Sequence, residues 1–307
     1  MNALLLACAV AVCAAAPAVP SYGILLLAHG GNASWNADVE TLRASVDKLV
    51  PVETALGMAD AKAIAAAAER LRARGAAKIV AVPLFVHSRS EVLDQTRYVL
   101  GMTLKPSEVL REGLKRMAQA HNMPAGAHHG HAFSLERAVP PVPTVLTAAL
   151  DDDPMVSAIL LKRAQALSRD PKTETVVLVA HGPVDPAALP AWEKDLAAHA
   201  ARLAENGGFR AVVGLTLRDD AAPKVRAAAV AKLREAVKSG AKGGRVLVVP
   251  ALLARGGIEN KIPKELEGLE YAWEGKTLMP DAGFEAWLTS RGQAGAAAQD
   301  MRLGGPF

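Results

Sequence analysis

Two histidines in this chain stand where an imidazole can do chemistry. Ile24-Leu25-Leu26-Leu27 leads into Ala28-His29-Gly30-Gly31, and Val176-Val177-Leu178-Val179 leads into Ala180-His181-Gly182-Pro183. A short aliphatic run closed by glycine reads as a buried strand followed by a sharp turn. Each histidine is then set at the carboxyl end of a parallel-type strand, the edge of an open α/β sheet at which ligands bind. A neutral imidazole there ligates a metal or takes a proton; its plainer role is a turn residue whose ring bonds a neighbouring carbonyl. The recurrence of the same local setting favours the functional role.

Further candidates follow a later strand in each half. Val82-Pro83-Leu84-Phe85-Val86 runs into His87-Ser88-Arg89-Ser90-Glu91, and the equivalent loop after Val249-Pro250 is Ala254-Arg255-Gly256-Gly257-Ile258-Glu259-Asn260. If the first and third strands are neighbours, His87 or Glu91 comes near His29, and Glu259 faces His181. Imidazole with carboxylate suits a divalent first-row metal, so His29, His87, Glu91, His181 and Glu259 are the candidate ligands, and His29 and His181 the catalytic candidates. Taken singly, Glu91 and Glu259 also read as glutamates at helix N-termini. Arg255 could hold a carboxylate. A separate cluster, His121, His128, His129 and His131, lies in a Gly- and Pro-containing stretch, either a solvated loop or one that collects metal.

The elements that would position these groups are those of an α/β protein. The first half reads as β-α-β-α-β with a further strand at Thr144-Val145-Leu146 and a helix over 154–167; the second repeats the order with strands at 175–180, 211–217 and 245–250. Such an order implies right-handed crossovers and parallel sheets. The boundaries read as lobes over 19–169 and 172–293, with an insertion at about 102–143 that carries an amphipathic helix over 106–120. The Gly- and Ala-rich tail over 294–307 is expected to be poorly ordered.

Length and composition agree. The 307 residues suffice for two domains, and 51% apolar residues with only 4% aromatics leave much of the packing to Ala and Val. The net charge of +4 is scattered, with no basic stripe among aromatics, which argues against nucleic acid and fits a small polyanionic ligand. An apolar run over 4–16 followed by Pro17-Ala18 resembles a secretory signal over 1–18, making the protein periplasmic or secreted with no stable membrane anchor after processing. A misassigned start codon ahead of a cytoplasmic enzyme is the alternative. Both cysteines, Cys8 and Cys13, fall in this run, so the processed chain has no disulfide or thiolate site. The chain has no Gly-x-Ser-x-Gly, Gly-x-Gly-x-x-Gly or P-loop, which argues against a serine hydrolase and against a nucleotide cofactor.

Taken together, Ala28-His29-Gly30, Trp35, Val52-Glu53 to Met58, the helix ending Arg72-Ala73-Arg74-Gly75, and Val82-Pro83-Leu84-Phe85 resemble the sirohydrochlorin chelatase family. These are class II chelatases that insert cobalt or iron into a tetrapyrrole, also called the cobalamin-biosynthesis chelatase family. The resemblance covers nearly all of 22–169 and, more faintly, 173–290. It implies two similar α/β lobes, each a mostly parallel sheet with helices on both faces, facing across a cleft. Its strand-end histidines bind the metal and accept pyrrole protons. His29 matches the first family histidine and His181 its counterpart in the second lobe. The second family histidine falls on Glu91 here, and on Ile258 beside Glu259, so either His87 and the glutamates substitute for it or turnover has been lost. The implied ligands are a tetrapyrrole and, as substrate, divalent cobalt, iron or nickel. Metal insertion removes two N–H protons from the macrocycle, and Arg89 and Arg255 are candidates to bind its peripheral carboxylates. The competing reading is an exported two-lobe protein that binds metal or tetrapyrrole without turnover. A two-repeat chain can be a monomer or a homodimer.

Overall fold

The computed structural model describes residues 21–108, 111–112, 136–255 and 257–303. The expected leader, most of the expected helix over 106–120 and the histidine-rich stretch lie outside them. The first lobe comprises β1 (Tyr22–Ala28), α1 (Ala33–Val46), β2 (Val52–Leu56), α2 (Ala61–Ala73), β3 (Lys78–Pro83), α3 (Glu91–Val99), β4 (Thr144–Leu146) and α4 (Pro154–Leu167). The second comprises β5 (Thr175–Ala180), α5 (Leu189–Gly207), β6 (Ala211–Thr216), α6 (Pro223–Ala241), β7 (Val246–Ala251), α7 (Ile262–Glu265) and α8 (Gly283–Ala297). Among the described residues no helix is long and apolar enough to cross a membrane.

Both sheets are parallel, in the orders β2-β1-β3-β4 and β6-β5-β7. In the second, a single parallel bridge between Leu247 and Ala272 stands where the first has β4. The registers correspond rung for rung: Leu27 opposes Pro83 in the first sheet, and Val179 opposes Pro250 in the second. Each order reverses at its central strand, β1 or β5, so the chain leaves that strand's carboxyl end beside a crevice.

Helix starts follow local capping. Asn32 accepts the Trp35 N–H at 2.9 Å, which starts α1 at Ala33. Asp60 caps α2 and Ser90 caps α3 in the same way, and Asp153 followed by Pro154 opens α4.

Burial alternates along the strands. Leu25, Leu27, Ile79 and Ala81 face α2 through Ile64, Ala68 and Leu71, and the outer face of the second sheet packs Val177, Val179 and Val248 on Leu233 and Val237 of α6. The inner faces share one core. Ile24, Leu26 and Val80 of the first sheet and Val176, Leu178 and Leu247 of the second belong to the same apolar cluster, filled by α1, α4, α5 and α8. Each fully buried Leu or Ile there contributes about 1.5–3 kcal/mol.

Two of these helices cross over. α4 follows the last strand of the first lobe yet packs on α5 and β7, whereas α8 follows the second lobe and packs on β1, β3 and β4. The small residues that suggest disorder are what permit this contact. A Cβ at Gly292 would run into Ile24, and one at Gly295 into Val80. The tail expected to be poorly ordered is instead fixed as far as Leu303. The Met301 N–H donates to Thr144 O at 2.9 Å, the Leu303 N–H donates to Gly101 O at 3.0 Å, and buried Arg302 donates to Pro140 O at 2.8 Å.

Candidate functional site

His29 and His181 lie at the carboxyl ends of β1 and β5, directly after Ala28 and Ala180. The glycine after each adopts positive φ, +70° at Gly30 and +80° at Gly182. At Gly182 a side chain is also excluded by space, because a Cβ would stand 2.6 Å from Thr216 Cβ. The resulting turn brings Nδ1 of each histidine onto the carbonyl of the following glycine, at 2.5 Å for His181 and still closer for His29. The turn role proposed for these rings is thus real at Nδ1. At His29, donation from Nδ1 leaves the lone pair of a neutral ring on Nε2, the form that ligates a metal or takes up a proton.

Their surroundings differ. The His29 ring stacks on Trp35, with centroids 5.1 Å apart, and sits 6.4 Å from the Phe85 ring. His181 Nε2 instead meets Asp220 Oδ2 at 2.9 Å. Burial alone would lower the pKa of His181, but the Asp220 hydrogen bond and charge outweigh it and hold the imidazolium above the ordinary histidine value. The turn is braced by Arg218, a buried residue at φ +53°. Its backbone N–H donates to His181 O at 2.8 Å, and its guanidinium donates to Val184 O at 2.9 Å and also to Pro183 O.

The other expected ligands are placed differently. β1 and β3 do pair, yet His87 turns toward the second lobe. It is buried, stacks on Trp192 of α5 at 4.8 Å, and brings Nε2 to 3.1 Å from Asp195 Oδ2, while Nδ1 accepts the Arg89 N–H at 2.9 Å. Asp151 Oδ1 lies 3.8 Å from Nδ1 and accepts the Ser88 N–H at 2.6 Å. Among the described residues this is the one trio of His, Asp, Glu or Cys that brings a donor atom from each within 4.8 Å of the others. Glu91 occupies the first turn of α3, a favoured place for a carboxylate at the positive end of a helix. Glu259 is buried, but it accepts from Gly257 N at 2.9 Å and from Asn260 Nδ2 at 3.3 Å, whereas the carboxylate on His181 is that of Asp220.

Arg89 contributes its backbone, the carbonyl accepting Trp192 Nε1–H at 3.1 Å. Arg255 reaches across the lobes to Asp38, 3.6 Å away, and its carbonyl accepts Asn32 Nδ2–H at 3.2 Å. Both arginine side chains are exposed enough to meet an anionic ligand. Asp151, Asp195, Asp220 and Trp192 escaped the sequence reading. The available signal was a repeated spacing, Trp35-x-x-Asp38-Val39 in α1 and Trp192-x-x-Asp195-Leu196 in α5.

Comparison with known proteins agrees with this architecture. The CbiX family model matches residues 23–167 and again 175–288. No curated protein matches the sequence. Among solved structures, SirB from Bacillus subtilis with Fe3+ is similar over 90% of this chain and 96% of that one, with 16% identity and a TM-score of 0.59. The sirohydrochlorin chelatase SirB from Bacillus subtilis subspecies spizizenii in complex with cobalt covers 90% and 95%, with 14% identity and a TM-score of 0.56. DR2241 from Deinococcus radiodurans, described as a multi-domain protein with structural similarity to chelatases, is similar over 92% of this chain and 56% of its own, with 15% identity and a TM-score of 0.50. At these identities the likeness is one of fold. Matched by the family model in both lobes over most of its length, the chain belongs to the CbiX family.

Proposed function

We propose that the protein inserts a divalent metal ion, cobalt or iron, into sirohydrochlorin or a related tetrapyrrole, the metal being a substrate. The observation that carries this reading is the pair of histidines at the carboxyl ends of the two central strands, each with Nδ1 turned onto a glycine carbonyl. Insertion needs a base for two pyrrole protons and a loosely held cation beside it; a neutral imidazole with its lone pair on Nε2 serves both needs. His29, packed on a tryptophan face, is the stronger base candidate. His181, whose Nε2 meets Asp220 and whose pKa is raised despite its burial, is suited to hold the acidic edge of the pigment. Exposed Arg89 and Arg255 would meet the peripheral carboxylates.

The test is spectrophotometric. Protein from Val19 onward is mixed with sirohydrochlorin and Co2+, Fe2+ or Ni2+, alongside His29→Ala and His181→Ala. Insertion faster than the protein-free control, and lost in His29→Ala, supports the proposal; unchanged insertion in that variant removes His29 from it. A second reading has a specific observation in its favour: Glu91 and Ile258 stand where the second family histidine falls. Binding of metal or pigment without insertion would favour that reading, an exported binding protein.

A further inference from the structure

We propose that His87, Asp151 and Asp195 bind a divalent first-row metal ion across the lobe interface, at a site separate from the strand-end histidines. His87 follows β3 and Asp151 follows β4, both in the first lobe, while Asp195 is carried on α5 of the second. Three observations converge. The three side chains bring donor atoms within 4.8 Å of one another, a spacing that a small inward movement converts to the edge of a coordination shell. His87 is 5% exposed, and its buried Nε2 makes no hydrogen bond although Asp195 Oδ2 is 3.1 Å away, so the approach lacks hydrogen-bond geometry. A buried ring nitrogen left in that state calls for an occupant.

The third observation comes from the related positions of the other lobe. There Asp38, at the position in its Trp-x-x-Asp helix that matches Asp195, meets Arg255, so the chain itself supplies the cation. Backbone pairing shows which residues correspond: Asp151 N–H donates to Val86 O, and Met279 N–H donates to Leu253 O. Met279 therefore stands where Asp151 does, and Ala254 falls where His87 does. On the His87 side two carboxylates face one imidazole, and among the described residues no arginine pairs with either carboxylate.

Ligation through Nε2 fixes the proton accounting. Nδ1 now accepts the Arg89 N–H, which leaves the proton of the neutral ring on Nε2. To take the ion the ring stays neutral and its proton moves to Nδ1; the Arg89 N–H lets go, and Nδ1–H turns toward Asp151 Oδ1, 3.8 Å away. Asp195, and a remaining lone pair of Asp151, supply the oxygen donors. Because Asp195 belongs to the other lobe, the ion would tie the lobes together.

The experiment titrates the full chain carrying His29→Ala and His181→Ala with Co2+ and reads visible absorption and thermal unfolding. Adding Asp195→Asn or His87→Gln to this background is expected to lower the Co2+ stoichiometry by one and to abolish a rise of a few degrees in the unfolding midpoint. Comparison by difference discounts ions held by His121, His128, His129 or His131. The proposal is overturned if both variants keep the parental stoichiometry and stabilisation. It is equally overturned if the parent takes up no ion that depends on either residue. If one variant does not fold, as judged by circular dichroism, Asp151→Asn takes its place with the same two outcomes. Insertion activity is read separately, so its loss and the loss of this site are distinguishable.

Discussion

The two lobes set the same histidine on the same strand and then treat it in opposite ways. In the first, the ring at position 29 stacks on Trp35 and lies beside the tilted ring of Phe85. In the second, the ring at position 181 is locked between Gly182 O and the Asp220 carboxylate, with Arg218 bracing the turn below it. Equivalent backbone, then, does not mean equivalent chemistry: the residues two to four places beyond the end of the second strand of the second lobe set the Asp220 carboxylate on its imidazole. In the first lobe those places are Met58, Ala59 and Asp60, with Asp60 spent on capping α2; in the second they are Arg218, Asp219 and Asp220.

The comparison can be broken or sharpened by variants of decreasing effect. Deleting 283–307 removes α8 from the inner face of the first sheet and uncovers Ile24 and Val80. Each lost core leucine or phenylalanine costs about 2–5 kcal/mol, so no cooperative unfolding transition should remain in circular dichroism. If the truncated chain still melts cooperatively, the lobes are more independent than the crossover implies.

Next, His29→Ala should lower the rate of metal insertion by about 100-fold or more, the usual worth of a positioned base, and His181→Ala by about 10-fold. A reversed order would assign the chemistry to the second lobe. Asp220→Asn removes the partner that holds the His181 pKa up, so the pKa should fall, as an NMR titration of the ring would show. The linkage has a definite sign. A raised folded pKa gives stability that is fully present below the unfolded value near 6.5 and is lost as pH rises through the folded value; this increment should be absent from Asp220→Asn.

The smallest effect concerns the tail. Arg302 and the Thr144 N–H hold the Asp300 carboxyl at about 2. A depressed carboxylate contributes above its unfolded value near 3.9 and loses its contribution as pH falls toward 2, so Asp300→Asn should reduce stability slightly at neutral pH and not at all in strong acid. Urea midpoints at the two pH values would decide it.

What the sequence revealed and what it hid divide along contact range. The strands, the glycine turns and the Val-Pro pairs on matching rungs were legible because each is written within a few neighbouring residues. The partners of His87 were not. Asp151 and Asp195 reach it from other elements, and the two-residue offset of Nδ1 to Arg89 N–H that turns its ring away from the His29 side is visible only in three dimensions. Asp220 was passed over because Glu259 lay at the tempting position, although Gly257 and Asn260 hold that carboxylate. The Gly- and Ala-rich end misled most, since the same composition suits a loose tail and a helix pressed onto a sheet; only the shape of Ile24 and Val80 tells them apart.

The exchange of α4 and α8 between lobes sets the order in which the protein can be made. The first sheet emerges from the ribosome early, but the helix that closes its inner face is made only after the whole second sheet. Until then the half-built lobe shows an oily surface to the cell, a natural target for a chaperone. Synthesis of α8, and not of the first half, is the event that completes the first lobe, and a fragment cut between the lobes would inherit an open face on either side.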